Sequence, residues 1–422
     1  ESLERGKYFR DSELKAGYNK AIRGWLEKGY VRLVPTEEEK PEKAYYIPHF
    51  PVVRLDRMTT KIRPVMDGAA KFNGKSLNDA VMSGPNLMCD LADVLLRFRR
   101  NAIAVCADVQ EMFLRVVLPP EDRPYHRFLF RENSDDRVSE LEYLSHVFGN
   151  AGSPTVAIYT TKQNAEDYRE QCPLGSDTVI NSTIVDDNMD SVETVEEAKQ
   201  LITELQFLYE KCGMKIHKWL SNNEEVIQVI PVEERATDLD FAEIQTEHNP
   251  LLPSVKTLGM IYLSSEDSFT YSFSQTDEEV WTKRNILRTY MRLFDPLNLI
   301  VAFIITARII FQRCWEMGLQ WDEPVPDEIR KPWVRWLSSL SDLVNLRIPR
   351  FIRDPEKKPL EFYLHVYSDG SSEAYAANCY LLTIYDDGSK SCRLVMARAK
   401  VKPKKMFSIP RIDVLGACLA VK

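Results

Sequence analysis

Two adjacent carboxylates, Asp186 and Asp187, follow the apolar pair Ile184–Val185. Neighbouring like charges repel, and a strand sends successive side chains to opposite faces, so the pair suits a tight turn better than the interior of a sheet. A third carboxylate, Asp108, ends the apolar run 101–108. Three carboxylates brought together at strand ends could hold the two divalent cations that nucleotidyl transfer uses, because carboxylate oxygens are the ligands that Mg²⁺ prefers. The alternative is an Asx-rich hairpin tip without a metal.

The elements that would position these acids follow from the hydrophobic pattern. Residues 101–108 and 179–185 are predicted strands, and each ends on a carboxylate. Residues 155–167 and 195–211 have the apolar spacing of helices, and Gly213 is the expected cap of the second. This order of elements predicts an α+β fold with helices on one face of a sheet.

The remaining parts of the chain are predicted to form a hairpin, a helical block and a strand-led unit. The hairpin, residues 49–66, carries two basic side chains, Lys61 and Arg63. Residues 277–345 are predicted to be helical. A linker rich in proline and charge, 349–359, precedes the strand-led unit.

Composition bounds the class of protein. The chain has 422 residues, 44% of them hydrophobic and 28% charged, which is typical of soluble globular proteins with two or three domains. Its longest apolar run, 299–307, is too short to span a bilayer, so no membrane association is expected. The eight cysteines form no Cys-x-x-Cys motif and the six histidines form no His-Glu-x-x-His motif. A structural zinc site and a disulfide framework are therefore not expected, and a reducing compartment fits.

Charge and chain ends give two further expectations. The net charge of −8 weighs mildly against a nucleic-acid partner, but residues 388–412 carry eight Lys or Arg and no Asp or Glu. The first residues have neither an initiator Met nor the apolar core of a signal peptide, so the sequence is expected to be a piece of a longer chain.

Three ordered motifs resemble the palm of a reverse transcriptase. They are ADVQEMF at 107–113, VFGNAGSP at 147–154 and IVDD at 184–187. The resemblance narrows to the Bel/Pao class of long-terminal-repeat retrotransposons on the segments 60–67, 76–79, 84–85 with 91–97, 256–260, 294–297 and 321–323. The segments 367–375 and 409–415 resemble the opening of the ribonuclease H domain of that class. Each motif alone is weak evidence, whereas the ordered set is strong.

The resemblance implies a right-hand polymerase fold with fingers, palm and thumb, a helical connection and a truncated ribonuclease H-like segment. Residues 1–222 would form fingers and palm, 223–350 the primer grip, thumb and connection, and 360–422 a partial ribonuclease H-like domain. The implied activity is that of an RNA-directed DNA polymerase, which adds deoxynucleotides to a primer. The implied cofactor is a pair of Mg²⁺ ions, with Mn²⁺ as a substitute.

The same resemblance assigns roles to individual residues. Asp108, Asp186 and Asp187 would be the metal-binding catalytic acids. The residues implied to contact the deoxynucleoside triphosphate are Lys61, Arg63, Phe113, Phe148 and Gly149. Those of the primer grip are Leu258, Gly259 and Met260, and those of an incomplete ribonuclease H-like site are Asp369 and Asp413.

Several assignments have competing interpretations. If the surrounding motif is not considered, Phe113 is best interpreted as a core side chain. Residues 258–260 would suit a buried strand equally well. Lys215 and Lys218 are both candidates for a lysine that protonates pyrophosphate. Ile184 occupies the place of a tyrosine in the family, and Asp413 that of a glutamate.

The implied partners are an RNA and DNA template-primer, deoxynucleoside triphosphates and other domains of the polyprotein, such as a protease and an integrase. The cytoplasm, within virus-like particles, is the implied location. With two acids at 369 and 413, ribonuclease H activity is not expected of this chain. The alternative function is that of a decayed or host-adopted copy that binds nucleic acid or protein without polymerising. A phosphatase or nuclease with the same carboxylates would leave the motif around Phe113 and the primer-grip segment 258–260 unexplained.

Overall fold

The computed structural model comprises two compact units. The residues that it describes are 12–36, 41–53, 62–133, 135–237, 252–257, 260–271, 278, 280–403 and 408–421. The first unit consists of Glu1–Met88, Val109–Ile180 and Glu204–Ile216, and the second of Cys89–Asp108, Asn181–Thr203 and His217–Lys422.

Strands and helices alternate along the chain, in a mixed architecture. The strands are β1 (Val31–Leu33), β2 (His49–Val53), β3 (Ile62–Met66), β4 (Ile103–Gln110), β5 (Arg127–Phe130), β6 (Ser139–Tyr143), β7 (Thr183–Ile184), β8 (Asp187–Val192), β9 (Lys215–Ser221), β10 (Ser254–Thr257), β11 (Met260–Leu263), β12 (Ser268–Thr270), β13 (Ile348–Pro349), β14 (Pro359–Gly370), β15 (Ala374–Tyr385) and β16 (Lys390–Val401). The α-helices are α1 (Ser12–Glu27), α2 (Leu77–Ala80), α3 (Leu91–Phe98), α4 (Met112–Arg115), α5 (Ser153–Asp167), α6 (Pro173–Asn181), α7 (Val195–Lys211), α8 (Glu224–Gln228), α9 (Lys283–Tyr290), α10 (Val301–Glu316), α11 (Asp327–Ser338) and α12 (Ile409–Val421).

The first unit has its core between α1 and a small antiparallel sheet. The sheet has the order β1-β6-β5, and β2 and β3 form a separate antiparallel hairpin, as the sequence predicts. Tyr18 and Ile22 are the buried face of α1, and they belong to the same apolar cluster as Phe128 and Tyr143. This core supports the hairpin that carries Arg63.

The central sheet has the strand order β7-β8-β4-β9. β4 pairs with β8 in antiparallel register from Ile103↔Val192 to Asp108↔Asp187. Helix α3 begins at the N-cap Asp90, whose carboxylate accepts a hydrogen bond from the amide of Ala92 at 2.8 Å. Its apolar side packs with Ala104 of β4 and Met189 of β8 in one cluster. The strands that end on carboxylates are thus built on a packed core.

The predicted strand over 179–185 is largely wrong. Its first three residues belong to helix α6, which ends at Asn181, and only Thr183–Ile184 form a strand, β7, before the turn. The β-branched residues of this stretch favour a strand, but packing overrides that local preference. The amide of Gly175 donates to the carboxylate of Glu204 at 2.7 Å, and a Cβ at this glycine would lie 2.8 Å from the Cβ of Glu204.

The second unit continues with a helical core and a further sheet. The predicted helical block is present as α9, α10 and α11, and Trp281, Trp333 and Trp336 lie in their shared core. β14, β15 and β16 form an antiparallel sheet in that order, and α12 packs against β14 and β15. The predicted linker begins on β13, and Arg350 directly after it is completely buried. None of the helices seen in the described part of the chain combines the length and apolar character needed to cross a membrane.

Candidate active site

The carboxylates that the sequence singles out face one another across two strands. Asp108 and Asp187 are partners in the register of β4 and β8, and Asp187 also pairs with Ile184 of β7. Asp186 lies in the turn between β7 and β8, next to Val185, which has a φ of +55°. A left-handed backbone is strained for a β-branched residue, so the turn is held by its surroundings. All three acids are partly buried.

Asp108 is bound by two side chains of β9 that the sequence did not predict as its partners. Its Oδ1 is 2.8 Å from Nε2 of His217, and its Oδ2 accepts a hydrogen bond from Nζ of Lys218 at 3.0 Å. Burial raises the pKa of Asp108, but the hydrogen bond from His217 and the positive charge of Lys218 outweigh that effect, so its pKa lies below the ordinary value. The carboxylate is therefore held ionised and fixed in orientation. Lys218 has a left-handed φ of +53°.

The donor chemistry of the three acids fits a hard divalent cation. Oxygen ligands from carboxylates are what Mg²⁺ binds, and the register brings two of the acids to facing positions. Within the described ranges, no three His, Cys, Asp or Glu side chains are grouped so as to hold a metal ion. Both oxygens of Asp108 instead contact nitrogen atoms of β9.

A layer of polar contacts behind the turn fixes β8 to α3. Nε of Arg97 donates to Oγ of Ser182 at 2.7 Å, and Nη2 of Arg97 lies 3.8 Å from Oδ2 of Asp190. The hydroxyl of Ser191 donates to the carbonyl of Arg97 at 2.7 Å. Ser182 is completely buried and its carbonyl accepts from the amide of Met189. The side-chain contacts of Arg97 with Ser182 and Asp190 connect residues more than 80 positions apart, which is why sequence reasoning missed them.

Phe113 lies in the single-turn helix α4, and its ring packs against that of Phe148. The two ring centroids are 4.6 Å apart in an edge-to-face arrangement. Phe113 is only 8% exposed, whereas Phe148 is 47% exposed, so the pair reaches the protein surface. Both interpretations of Phe113 therefore keep physical support, because the ring is buried and yet contacts an exposed aromatic.

Gly149 has a structural requirement that the sequence did not reveal. Its φ is +101°, and a Cβ at this position would lie 1.9 Å from the carbonyl oxygen of Met66, at the end of β3. Asn78 holds the same segment, since its Nδ2 donates to the carbonyl of Gly149 at 3.0 Å and its Oδ1 accepts from the amide of Ala151 at 2.9 Å. The backbone of Met66 therefore makes a close approach to this glycine. A close approach of a nucleotide to Gly149 stays a prediction.

The other predicted site residues are distributed as follows. Arg63 is exposed on β3 opposite Val52, and Lys215 is exposed at the start of β9. Met260 is 2% exposed as the first residue of β11, which agrees with the buried-strand interpretation. Lys61, Leu258 and Gly259 lie outside the described residues.

Two glycines bring α12 close to β14, where the second pair of predicted acids lies. A Cβ at Gly370 would be 2.7 Å from Oδ1 of Asp413, and one at Gly416 would be 3.1 Å from the carbonyl oxygen of Asp369. Asp413 on the helix therefore lies beside the strand position that follows Asp369. Their role in hydrolysis stays a prediction.

Comparison with known proteins finds one matching protein family and a set of solved structures with a similar fold. Residues 282–422 match the model of the Pao retrotransposon-like RNaseH-like domain, a range that includes α9 to α11 as well as the sheet of β14 to β16. No curated protein matches the chain.

The fold resembles that of foamy viral reverse transcriptases. The structure of the foamy viral protease-reverse transcriptase in complex with RNA/DNA hybrid aligns with a TM-score of 0.56 and 14% identity, over 97% of this chain and 46% of that chain. A second foamy viral protease-reverse transcriptase structure, in complex with double-stranded DNA, aligns with a TM-score of 0.55 and 12% identity, over 96% of this chain and 60% of that one. The chain thus spans about half the length of these proteins and shares their mixed α/β fold.

Proposed function

We propose that this chain is the RNA-directed DNA polymerase of a retroelement polyprotein of the Bel/Pao class, with right-hand fingers, palm and thumb. The observation that carries the proposal is the facing of Asp108 and Asp187 at strand ends, with Asp186 in the adjoining turn. The likeness of the fold to a reverse transcriptase and the family match at 282–422 support it. The template-primer would be RNA and DNA, as in the RNA/DNA hybrid bound by the foamy viral protein.

Asp108, Asp186 and Asp187 would hold two Mg²⁺ ions, which when bound supply charge neutralisation and activation of the primer hydroxyl. His217 and Lys218 keep the Asp108 carboxylate ionised and oriented. Nζ of Lys218 lies 3.0 Å from Oδ2 of Asp108, so its ammonium group is beside the carboxylates that would hold the cations. That position favours Lys218 over Lys215 as the lysine that would protonate pyrophosphate.

The remaining assignments concern the nucleotide. Arg63 would bind phosphate oxygens, since an exposed guanidinium offers paired N–H donors in a fork. Phe113, supported edge-on by Phe148, would lie under the sugar and exclude a 2′-hydroxyl by shape. Gly149 fixes the segment next to Phe148 against β3, which keeps that ring in place.

The Asp186→Asn variant tests the proposal. Replacing one carboxylate weakens a cation site that the reaction needs, so nucleotide addition to a primer should fall by at least about a hundredfold while the fold persists. Primer extension on RNA and DNA templates with Mg²⁺ measures the activity, and circular dichroism checks folding. Asp167→Asn, an exposed aspartate at the end of α5, is the matched control. Extension by Asp186→Asn at the wild-type rate would contradict the assignment.

Two observations favour a second candidate, a copy that binds nucleic acid without polymerising. His217 and Lys218 satisfy Asp108 within the protein, and Ile184 stands where the family has a tyrosine. In that case the wild type and Asp186→Asn would both fail to extend a primer, while binding to a labelled RNA/DNA hybrid would be retained.

A further inference from the structure

Glu111 adopts a strained backbone directly before α4, the helix that carries Phe113. Its φ of +54° and ψ of +36° lie in the left-handed region, which is uncommon for a residue with a long side chain. α4 has only four residues, and one helical turn cannot stabilise itself, because nucleation fixes several dihedral angles for a single hydrogen bond. The orientation of α4 must therefore be set by contacts from outside the helix.

Those contacts come from the segment between α1 and β1. Nζ of Lys28 lies 2.7 Å from Oε1 of Glu111, and the hydroxyl of Tyr30 donates to Oε2 at 2.8 Å. Tyr30 is itself fixed, because its amide donates to the carbonyl of Trp25 and its carbonyl accepts from the amide of Leu144. Each oxygen of the Glu111 carboxylate thus has a partner in the segment between α1 and β1.

The electrostatics agree with a carboxylate that is held ionised. Partial burial raises the pKa of Glu111, but the hydrogen bonds from Lys28 and Tyr30 outweigh it, so the pKa lies below its ordinary value. Burial, together with the hydrogen bond to Glu111, raises the pKa of Tyr30 to about 12, so its hydroxyl remains a donor at neutral pH. The guanidinium of Arg115, at the end of α4, lies 5.6 Å from the centre of the Tyr30 ring. Both ends of α4 therefore contact the same tyrosine or its partner.

We infer that Glu111, clamped by Lys28 and Tyr30, is a positioning residue that fixes the Phe113 ring and thereby sets the selection of deoxyribonucleotides over ribonucleotides. The inference rests on the proposed function. Excluding a single hydroxyl by shape requires a ring that does not yield, and an unsupported one-turn helix would let the ring move. The clamp binds Glu111, two residues before Phe113, so it acts on the ring through the backbone at the start of α4.

The test compares kcat/KM for matched deoxyribo- and ribonucleotides in primer extension. Glu111→Ala should lower the deoxyribonucleotide preference about tenfold, which corresponds to about 1.4 kcal/mol and suits the loss of hydrogen bonds to a charged group. Glu111→Asn tolerates a left-handed backbone but is one methylene shorter, so it should lose the preference as well. Glu111→Gln keeps an acceptor for Tyr30 and should give an intermediate ratio. Glu166→Ala, which removes a surface pair with Arg169 in the same unit, should leave the ratio unchanged.

A double-mutant cycle separates positioning from general destabilisation. In a Phe113→Val background the ring is already absent, so Glu111→Ala should produce no further change in the ratio. Additive effects of the two substitutions would overturn the inference, because Glu111 would then act by another route.

Failure of the inference and failure of the proposed function have different signatures. If the wild type extends primers and Glu111→Ala keeps the wild-type ratio, the clamp has no role in selection and the polymerase assignment stands. If the wild type does not extend primers, the polymerase assignment fails, and hydrogen exchange of the amides at 112–116 decides on the clamp. Faster exchange in Glu111→Ala than in Glu166→Ala would support it, and equal exchange would refute it.

Discussion

Replacing Arg350 by methionine should remove a large part of the stability of the second unit. The guanidinium is completely buried and makes five hydrogen bonds. Two of them, at 2.5 and 2.9 Å, go to the carboxylate of Asp267. The others go to the carbonyl oxygens of Phe98 at 2.5 Å, Asn101 at 2.8 Å and Ala102 at 2.7 Å. This residue therefore joins the end of α3 and the approach to β4 to the turn before β12.

The magnitude follows from what the substitution leaves behind. Breaking a buried ion pair by removing one partner costs about 3–5 kcal/mol, since the other charge remains without compensation. The side chain of Asp267 is 27% exposed, so water recovers part of that loss, but three carbonyls also lose a donor. We expect the free energy of unfolding to fall by about 4 kcal/mol. Arg350→Lys keeps the charge but not the fork of donors, and about half of that loss is expected.

Urea unfolding followed by tryptophan fluorescence measures this change. All tryptophans except Trp25 belong to the second unit, so the signal reports mainly on that unit. Arg330→Met is the matched control, because Arg330 forms only a surface pair with Asp327 and little change is expected there. If Arg350→Met unfolded at the same urea concentration as Arg330→Met, the buried guanidinium would not be a stabilising centre of the unit.

Two further predictions concern the first unit. Gly149→Ala should destabilise this unit by about 1–3 kcal/mol from the left-handed backbone alone, and by more from the clash with the carbonyl oxygen of Met66. The control is Gly24→Ala in α1, where a Cβ has open space, and it should stabilise the unit by about 0.5–1 kcal/mol. Thermal unfolding measures both variants, and equal melting temperatures would contradict the geometry. Burial lowers the pKa of His49, His126 and His146. Their pKa values in the folded protein lie below the unfolded value of about 6.5. The stability that these histidines contribute is therefore complete above about pH 6.5, and it should be lost as the pH falls from about 6.5 towards their folded pKa values. Thermal unfolding of the wild type at pH 7.5 and pH 5.5, compared with His49→Phe, checks this, and a variant as pH-sensitive as the wild type would exclude His49 as a contributor.

The spacing of apolar residues was sufficient to predict those strands and helices that are determined by their own local sequence. The apolar run before Asp108 became β4, and the periodic stretch 195–211 became α7. Within the stretch 179–185, residues 179–181 belong to α6 although Val179 and Ile180 favour a strand, and the buried contact between Gly175 and Glu204 helps to hold that helix in place. A contact between residues 29 positions apart leaves no trace in the spacing of apolar residues.

The residues that hold the candidate site were harder to predict than those that would do chemistry. Carboxylates at strand ends are a visible pattern, but His217 and Lys218 meet Asp108 across about 110 positions, and Tyr30 meets Glu111 across 81. His, Lys, Tyr and Glu at ordinary surface spacing are typical of solvated faces, so nothing in their local sequence marks them. Arg350 shows the same limit, since it lies in the predicted linker 349–359, whose charge and proline content give no sign that the fold buries this side chain.

Ile184, which stands where the reverse transcriptases that the sequence resembles have a tyrosine, packs into the core next to the turn. Ile184 is partly buried and packs against the apolar cluster that contains Val94, Leu95 and Met189. It also pairs with Asp187 across β7 and β8, so its backbone helps to place that acid. A tyrosine here would bring a hydroxyl that needs a hydrogen-bond partner when it is buried among apolar side chains. The isoleucine therefore contributes apolar packing directly before the strained Val185, and its backbone pairing supports the position of Asp187 without a polar side chain of its own.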